Sequence, residues 1–225
     1  MKFAQFIKDK KVLLIGPAPY LMDGSILKKI AQYDTIVRLN RSVEMLEQLG
    51  RYTGTKIDIL YHNIHISPEQ GSFDYSLESW KRNGVKHVRI PYPPLPSSPN
   101  YIKNINIFQS KNANNILDSS IVEINLFNKI RKGCNNTSPN TGTIAIIDIL
   151  ENKPEVLHIS GITFQKGKKI YMDGYRDVVN SEELVRKQNA IYRNHSIDYQ
   201  LQFLKKELKK YDNVIYDKEV KSVLV

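Results

Sequence analysis

Seven short apolar runs limit what this chain can fold into. They are KVLLIG (11–16), DTIVRLN (34–40), IDILYH (57–62), VKHVRIPY (85–92), NINIF (104–108), EVLHISGI (155–162) and NVIYD (213–217). Several are continuous rather than alternating, as strands covered on both faces require. Helical spacing fills many of the gaps, in GSILKKIAQ (24–32), VEMLEQLG (43–50), YSLESWKRN (75–83), SSIVEINLFNKIRK (119–132), TGTIAIIDILEN (141–152) and the long SEELVRKQNAIYRNHSIDYQLQFLKKELKK (181–210). Strands alternating with helices predict an α/β fold, a Rossmann-like and mostly parallel sheet flanked by helices. With 225 residues, 41% of them hydrophobic, one domain over 1–225 can bury its own core. The proline-rich PYPPLPSSPN (91–100) reads as an irregular loop, a plain surface connection or the wall of a site.

Several classes are excluded or disfavoured. No apolar run approaches the ~20 residues that span a bilayer. The start, MKFAQFIKDKKVLLIG, has too short an apolar stretch for a signal peptide, and no small-residue cleavage site follows. The single cysteine, Cys134, excludes a disulfide within the chain, and a reducing cytoplasmic setting is expected. The five histidines show no paired ligand spacing beyond HNIH (62–65), so no metal site is expected. The formal net charge of +10 suits nucleic acid, an anionic membrane surface or an acidic small substrate. The aromatic-and-basic signatures of RNA binding are missing, and the lysines of KKELKK (205–210) fit a solvated helix face. Nucleic acid is therefore not the expected partner.

Ligands of open parallel sheets sit beyond the carboxyl ends of the strands. There the sequence places Gly16 and Pro17 in GPAPY, Asn40 in RLN, His62 and Asn63, and Gly161. A glycine turn between strand and helix suits a phosphate, but GPAPY lacks the dinucleotide fingerprint, and its prolines remove two N–H donors. It also reads as an ordinary strand-to-helix turn. Arg38 and Asn40 share one side of their strand, and an asparagine at its end offers donor and acceptor to a base or ribose, or starts a turn. SPNTG (138–142) opens an apolar helix: Ser138, Asn140 or Thr141 can cap it, and Gly142 allows a ligand close to the backbone. His195 precedes Ser196, a good N-cap. A positive helix end there favours a neutral, basic imidazole at pH 7, although a lone histidine also fits a structural role.

Taken in order, these stretches resemble the sialyltransferase motifs of glycosyltransferase family 29. KVLLIGPAPYLMDGSILKKIAQYDTIVRLNR follows the large motif, with TGTKID (53–58) after it; SPNTGTIAIIDILENKPEVLHISGITF (138–164) follows the small motif. IYMDGY (170–175) resembles motif III, and HSIDYQ (195–200) the last motif, H-x4-E. The similarity runs from about residue 11 to 204. There are departures. The two motif cysteines would fall near Val12 and within 135–138 and are absent, as in a cytosolic bacterial or viral-type member. The first-turn asparagines fall on Pro17 and Tyr20, the motif III histidine on Ile170 unless Tyr171 replaces it, and the final glutamate on Gln200.

The resemblance implies a GT-A-like variant of the α/β fold. It also implies an inverting transfer of a 2-keto sugar acid, sialic acid or Kdo, from a CMP donor to a glycan or glycolipid hydroxyl. No metal or other cofactor is implied, since the leaving group is a monophosphate. It implies His195 as general base and Tyr171 on the phosphate, with Thr141 and Gly142 at the helix mouth. Asn40 and Gly161 would hold ribose and cytosine, and Gly16, Pro17, Asn140 and Asp173 complete the donor site. The positive charge would then steer anionic substrates or favour peripheral contact with the inner membrane face. Two alternatives stay open: a catalytically inactive nucleotide- or glycan-binding relative, and another nucleotide-dependent α/β transferase.

Overall fold

A computed structural model describes residues 2–65, 75–96, 98–166, 171–172 and 196–225. Its centre is one seven-stranded sheet in which every pairing is parallel. The strands are β1 (Lys11–Ile15), β2 (Thr35–Leu39), β3 (Ile59–Tyr61), β4 (His87–Ile90), β5 (Asp118–Ile121), β6 (Val156–Ser160) and β7 (Val214–Tyr216). Their spatial order is β5-β4-β3-β2-β1-β6-β7. The chain grows outward from β1 to β5, then returns to β6 on the other flank of β1. The β1–β6 border is therefore the topological switch point, where the crevice of a doubly wound sheet opens.

The helices are α1 (Ala4–Ile7), α2 (Leu46–Thr53), α3 (Leu77–Arg82), α4 (Pro99–Lys111), α5 (Ile124–Gly133), α6 (Thr141–Glu151), α7 (Ile197–Leu208) and α8 (Lys218–Leu224). Helix α6 is the heart of the core: Thr141 and every residue from Thr143 to Leu150 are buried. A helix apolar on nearly all sides must be covered on nearly all sides. Strands β2, β3 and β6 meet it, along with Phe127 and Ile130 of α5 and Phe203 and Leu204 of α7. No helix among the described residues is long and apolar enough to cross a membrane.

One charged network lies inside this apolar shell. Asp148 of α6 takes a bidentate bond from Arg89 of β4, Nε to Oδ2 at 2.8 Å and Nη2 to Oδ1 at 3.0 Å. The hydroxyl of Tyr61 donates to the same Oδ2 at 2.9 Å. Arg89 spends Nη1 on Ser120 Oγ and the Ile121 carbonyl, and the Phe3 ring stacks on its guanidinium. The Arg89 and Asp148 side chains are 6% and 1% exposed. Arg38 is buried too, but works alone. It donates to the carbonyls of Thr53, Gly54 and Lys56 and to Thr53 Oγ1, tying the end of α2 to the sheet. Burial lowers its pKa to about 10.

Three local expectations are corrected. NINIF is not a strand but part of α4, where Pro99 takes the first turn and Asn104, Ile105 and Phe108 face inward at helical spacing. The stretch 118–121 is the edge strand β5 rather than the start of a helix; its serines and exposure hid it. GSILKKIAQ forms turns and a 3-10 turn at Ile30–Gln32 instead of an α-helix. Asp23 Oδ1 accepts the Ser25 N–H at 2.8 Å, a local bond that competes with helix formation.

Candidate active site at the sheet switch point

Two turns meet backbone to backbone where β1 and β6 end. Gly16 N–H donates to the Ser160 carbonyl at 2.9 Å, and Ala18 N–H to the Gly161 carbonyl at 3.0 Å. Glycine is required on both sides. A Cβ on Gly16 would overlap the Gly161 carbonyl. Gly161 has φ +72°, and a Cβ there would overlap Leu21 and come within 2.7 Å of the Gly16 carbonyl oxygen. With Pro17 and Pro19 lacking N–H groups, the first turn spends its Gly16 and Ala18 donors inward. Its Pro17 carbonyl accepts the Met172 N–H at 3.0 Å, which brings Tyr171 and Met172 against this turn. Both residues pack on the cluster of Leu13, Ile15 and Leu21.

Asn40 ends β2 on the other side of β1 and adopts φ +45°. Its side-chain Oδ1 accepts the Asn63 N–H at 3.0 Å, coupling the ends of β2 and β3. His62 faces the core instead. Its Nδ1 accepts from Ile64 N–H, and its ring packs 4.7 Å from that of Trp80. Burial depresses its pKa to about 3, so it is a neutral packing group.

The SPNTG mouth lies between these strand ends. A Cβ on Gly142 would stand 3.7 Å from Leu39 and 3.8 Å from Ile162, both ordinary contacts. Neither crowding nor a positive φ demands glycine there. Asn140 occupies the N-cap position, yet its side chain makes no cap bond. The cap comes from a distance: Gln200 Oε1 accepts the Asn140 N–H at 2.7 Å and the Thr143 hydroxyl at 2.9 Å. Gln200 Nε2 returns to the Ser196 carbonyl at 3.3 Å. Ser196 itself caps α7 through Tyr199 N–H, as its position in HSIDYQ predicts. The proline-rich loop braces the same mouth, with Tyr92 OH donating to the Pro139 carbonyl at 2.9 Å.

Gly16, Pro17, Asn40, Asn140, Thr141, Gly142, Gly161 and Tyr171 thus gather at one edge of the sheet. His195, Asp173 and Ile170 lie outside the described residues. Two more residues join this edge: Tyr20, which the motif comparison places only as a departure, and Asp217, to which no motif points. Asp217 follows β7, and its Oδ2 accepts from Tyr20 OH at 2.8 Å, Ser160 Oγ at 2.9 Å and Gly161 N–H at 2.9 Å. Tyr20 in turn receives a bond from Gly161 N–H at 2.9 Å. Burial, then the Asp217 charge, pushes the Tyr20 phenol well above the usual tyrosine range, so it remains a donor. Among the described residues, no group of three His, Cys, Asp or Glu side chains could hold a metal ion.

No protein-family model matches the chain, and no curated protein matches it by sequence. Solved structures do match. The monofunctional alpha-2,3-sialyltransferase Cst-I of Campylobacter jejuni superposes with a TM-score of 0.59 at 13% identity, over 94% of this chain and 78% of that one. The sialyltransferase CstII of the same organism, solved with the substrate analogue CMP-3FNeuAc, gives 0.53 at 16%, over 92% and 78%. A mammalian sialyltransferase gives 0.55 at 12%, over 93% and 69%. Over nearly its whole length, this chain shares its fold with sialyltransferases.

Proposed function

We propose that the chain is an inverting glycosyltransferase of the sialyltransferase type, moving a 2-keto sugar acid from a CMP donor to a glycan hydroxyl. One observation carries the reading. Residues from separate stretches, near 16, 40 and 140 and at Gly161 and Tyr171, converge on the switch point of a fold shared with sialyltransferases. A CMP analogue bound to one neighbour makes CMP-sialic acid the first donor to try, before CMP-Kdo.

In this reading the mouth of α6, at Thr141 and Gly142, takes the phosphate together with Tyr171. A helix N-terminus there offers N–H donors and a positive end to the charge that builds up as CMP leaves. Asn40 and Gly161 hold ribose and base. His195 accepts the proton of the acceptor hydroxyl as its oxygen bonds to the anomeric carbon and the bond to the CMP phosphate breaks. A monophosphate leaving group needs no metal to neutralise it.

The direct test is a thermal-shift titration with CMP against UMP, GDP, NAD and S-adenosylmethionine, in EDTA buffer. CMP alone is expected to raise the melting temperature. A hundredfold excess over its dissociation constant corresponds to ~2.7 kcal/mol of stabilisation. A shift with NAD or S-adenosylmethionine instead points to a different nucleotide-dependent transferase. CMP binding without donor turnover favours the inactive relative, a reading that draws on Pro17 and Gln200 standing at motif positions.

Gly142 supplies a sharper check. The protein leaves room for a methyl group there, and alanine is the better helix former by about 1 kcal/mol. Gly142→Ala is expected to melt at or above the wild-type temperature and to lose most of the CMP-induced shift. An alanine variant that binds CMP as the wild type does removes Gly142 from the phosphate site.

A further inference from the structure

The C-terminal segment of the chain reaches into the switch point. Asp217 receives four hydrogen bonds. Three converge on Oδ2, from Tyr20, Ser160 and Gly161; the fourth, on Oδ1, comes from Val220 N–H at 2.7 Å and caps α8. Its own N–H donates to the Ile159 carbonyl at 3.2 Å, which fixes it beside β6. One carboxylate therefore joins two turns at the switch point: the turn after β6 through Gly161 and the turn after β1 through Tyr20. Charge on the acceptor makes each of these bonds stronger than a neutral one.

The first turn has few further backbone donors to hold it. Two of its residues are prolines without N–H groups, and Gly16 and Ala18 spend theirs on the adjoining turn. Tyr20 adds a side-chain tie to those two backbone bonds. The Pro17 carbonyl, three residues earlier, holds the Met172 N–H and so sets the position of Tyr171. Contacts thus run from Asp217 through Tyr20 and the first turn to Tyr171.

We propose that Asp217 and Tyr20 are positioning residues for the nucleotide site, a latch that sets the Gly16–Tyr20 turn, and through it Tyr171, against Gly161. The proposal rests on the CMP-binding reading. Neither residue is placed on the ligand; both act through the backbone they hold.

Two variants separate positioning from folding. Asp217→Ser keeps an oxygen for the Val220 N–H and so retains the cap on α8, but is too short to serve Tyr20 and Gly161 together. Tyr20→Phe keeps the ring and removes only the hydroxyl. The two variants, their double combination and the wild type are titrated with CMP by calorimetry, well below their melting temperatures. Amide exchange at Gly161 and Met172 is followed in the unliganded proteins. Each single variant is expected to bind CMP about tenfold more weakly, the loss of a hydrogen bond to a charged group. Both should exchange faster at Met172. The double variant should bind no more weakly than the worse single one, because the pair works as a unit. Variants that melt lower yet bind CMP with wild-type affinity overturn the latch, as do two losses that simply add. A wild-type protein that does not bind CMP overturns the nucleotide reading and the latch with it.

Discussion

Asp148→Ala is expected to cost about 3–5 kcal/mol of folding stability, the loss typical of leaving one member of a buried ion pair uncompensated. Three donors lose their acceptor at once: Arg89 Nε, Arg89 Nη2 and the Tyr61 hydroxyl. The Asp148 side chain is 1% exposed, so little water stands ready to replace it. In a chain of this size the change corresponds to a fall in melting temperature of roughly 6–20 °C. Urea denaturation of wild type and variant measures it. Asp148→Asn keeps the shape and one acceptor and should fall between the two. A loss below about 1 kcal/mol for the alanine variant would mean that Arg89 finds other partners once released. Replacing both members with apolar residues of similar volume should restore much of the stability, since two well-packed side chains substitute for two desolvated charges.

His195→Ala is expected to lower turnover by ~10²–10⁴-fold while CMP still binds, the usual cost of removing a general base. His195 stands next to Ser196 in the sequence, and the Ser196 hydroxyl caps α7. In the proposed role the base acts on the acceptor hydroxyl and makes no claim on the nucleotide. The loss should therefore appear in kcat, with donor KM little changed. The assay is transfer from CMP-sialic acid, or from CMP-Kdo if the first donor fails. Near wild-type turnover in the alanine variant would end the assignment and leave the proton to another group.

The fold was legible because its signal is redundant. Continuous apolar runs such as KVLLIG and EVLHISGI have few homes other than the middle of a parallel sheet, and both pair with their neighbours there. The edges were harder to read. DSSI carries almost no apolar content because an edge strand need not be covered, while NINIF alternates like a strand although Ile105 and Phe108 also satisfy a helical repeat. At the candidate site, turn glycines and the SPNTG helix start stood out because they break the apolar pattern at strand ends. Asp217 did not. It sits far from Tyr20 and Gly161 in the chain, and only the place of β7 at the sheet margin brings them together. Asp148 carries a signal of its own: a lone carboxylate within IAIIDIL has to find a partner if that helix is buried.

The Gln200 cap has an electrostatic consequence of its own. It satisfies the Asn140 N–H at the entrance of α6 with a neutral amide rather than with an acid. A glutamate at that position would also accept this N–H, but it would bring a full negative charge to the helix end that the proposed function assigns to an anion. The amide fixes the entrance and leaves its positive potential unspent, which suits the phosphate of the proposed donor.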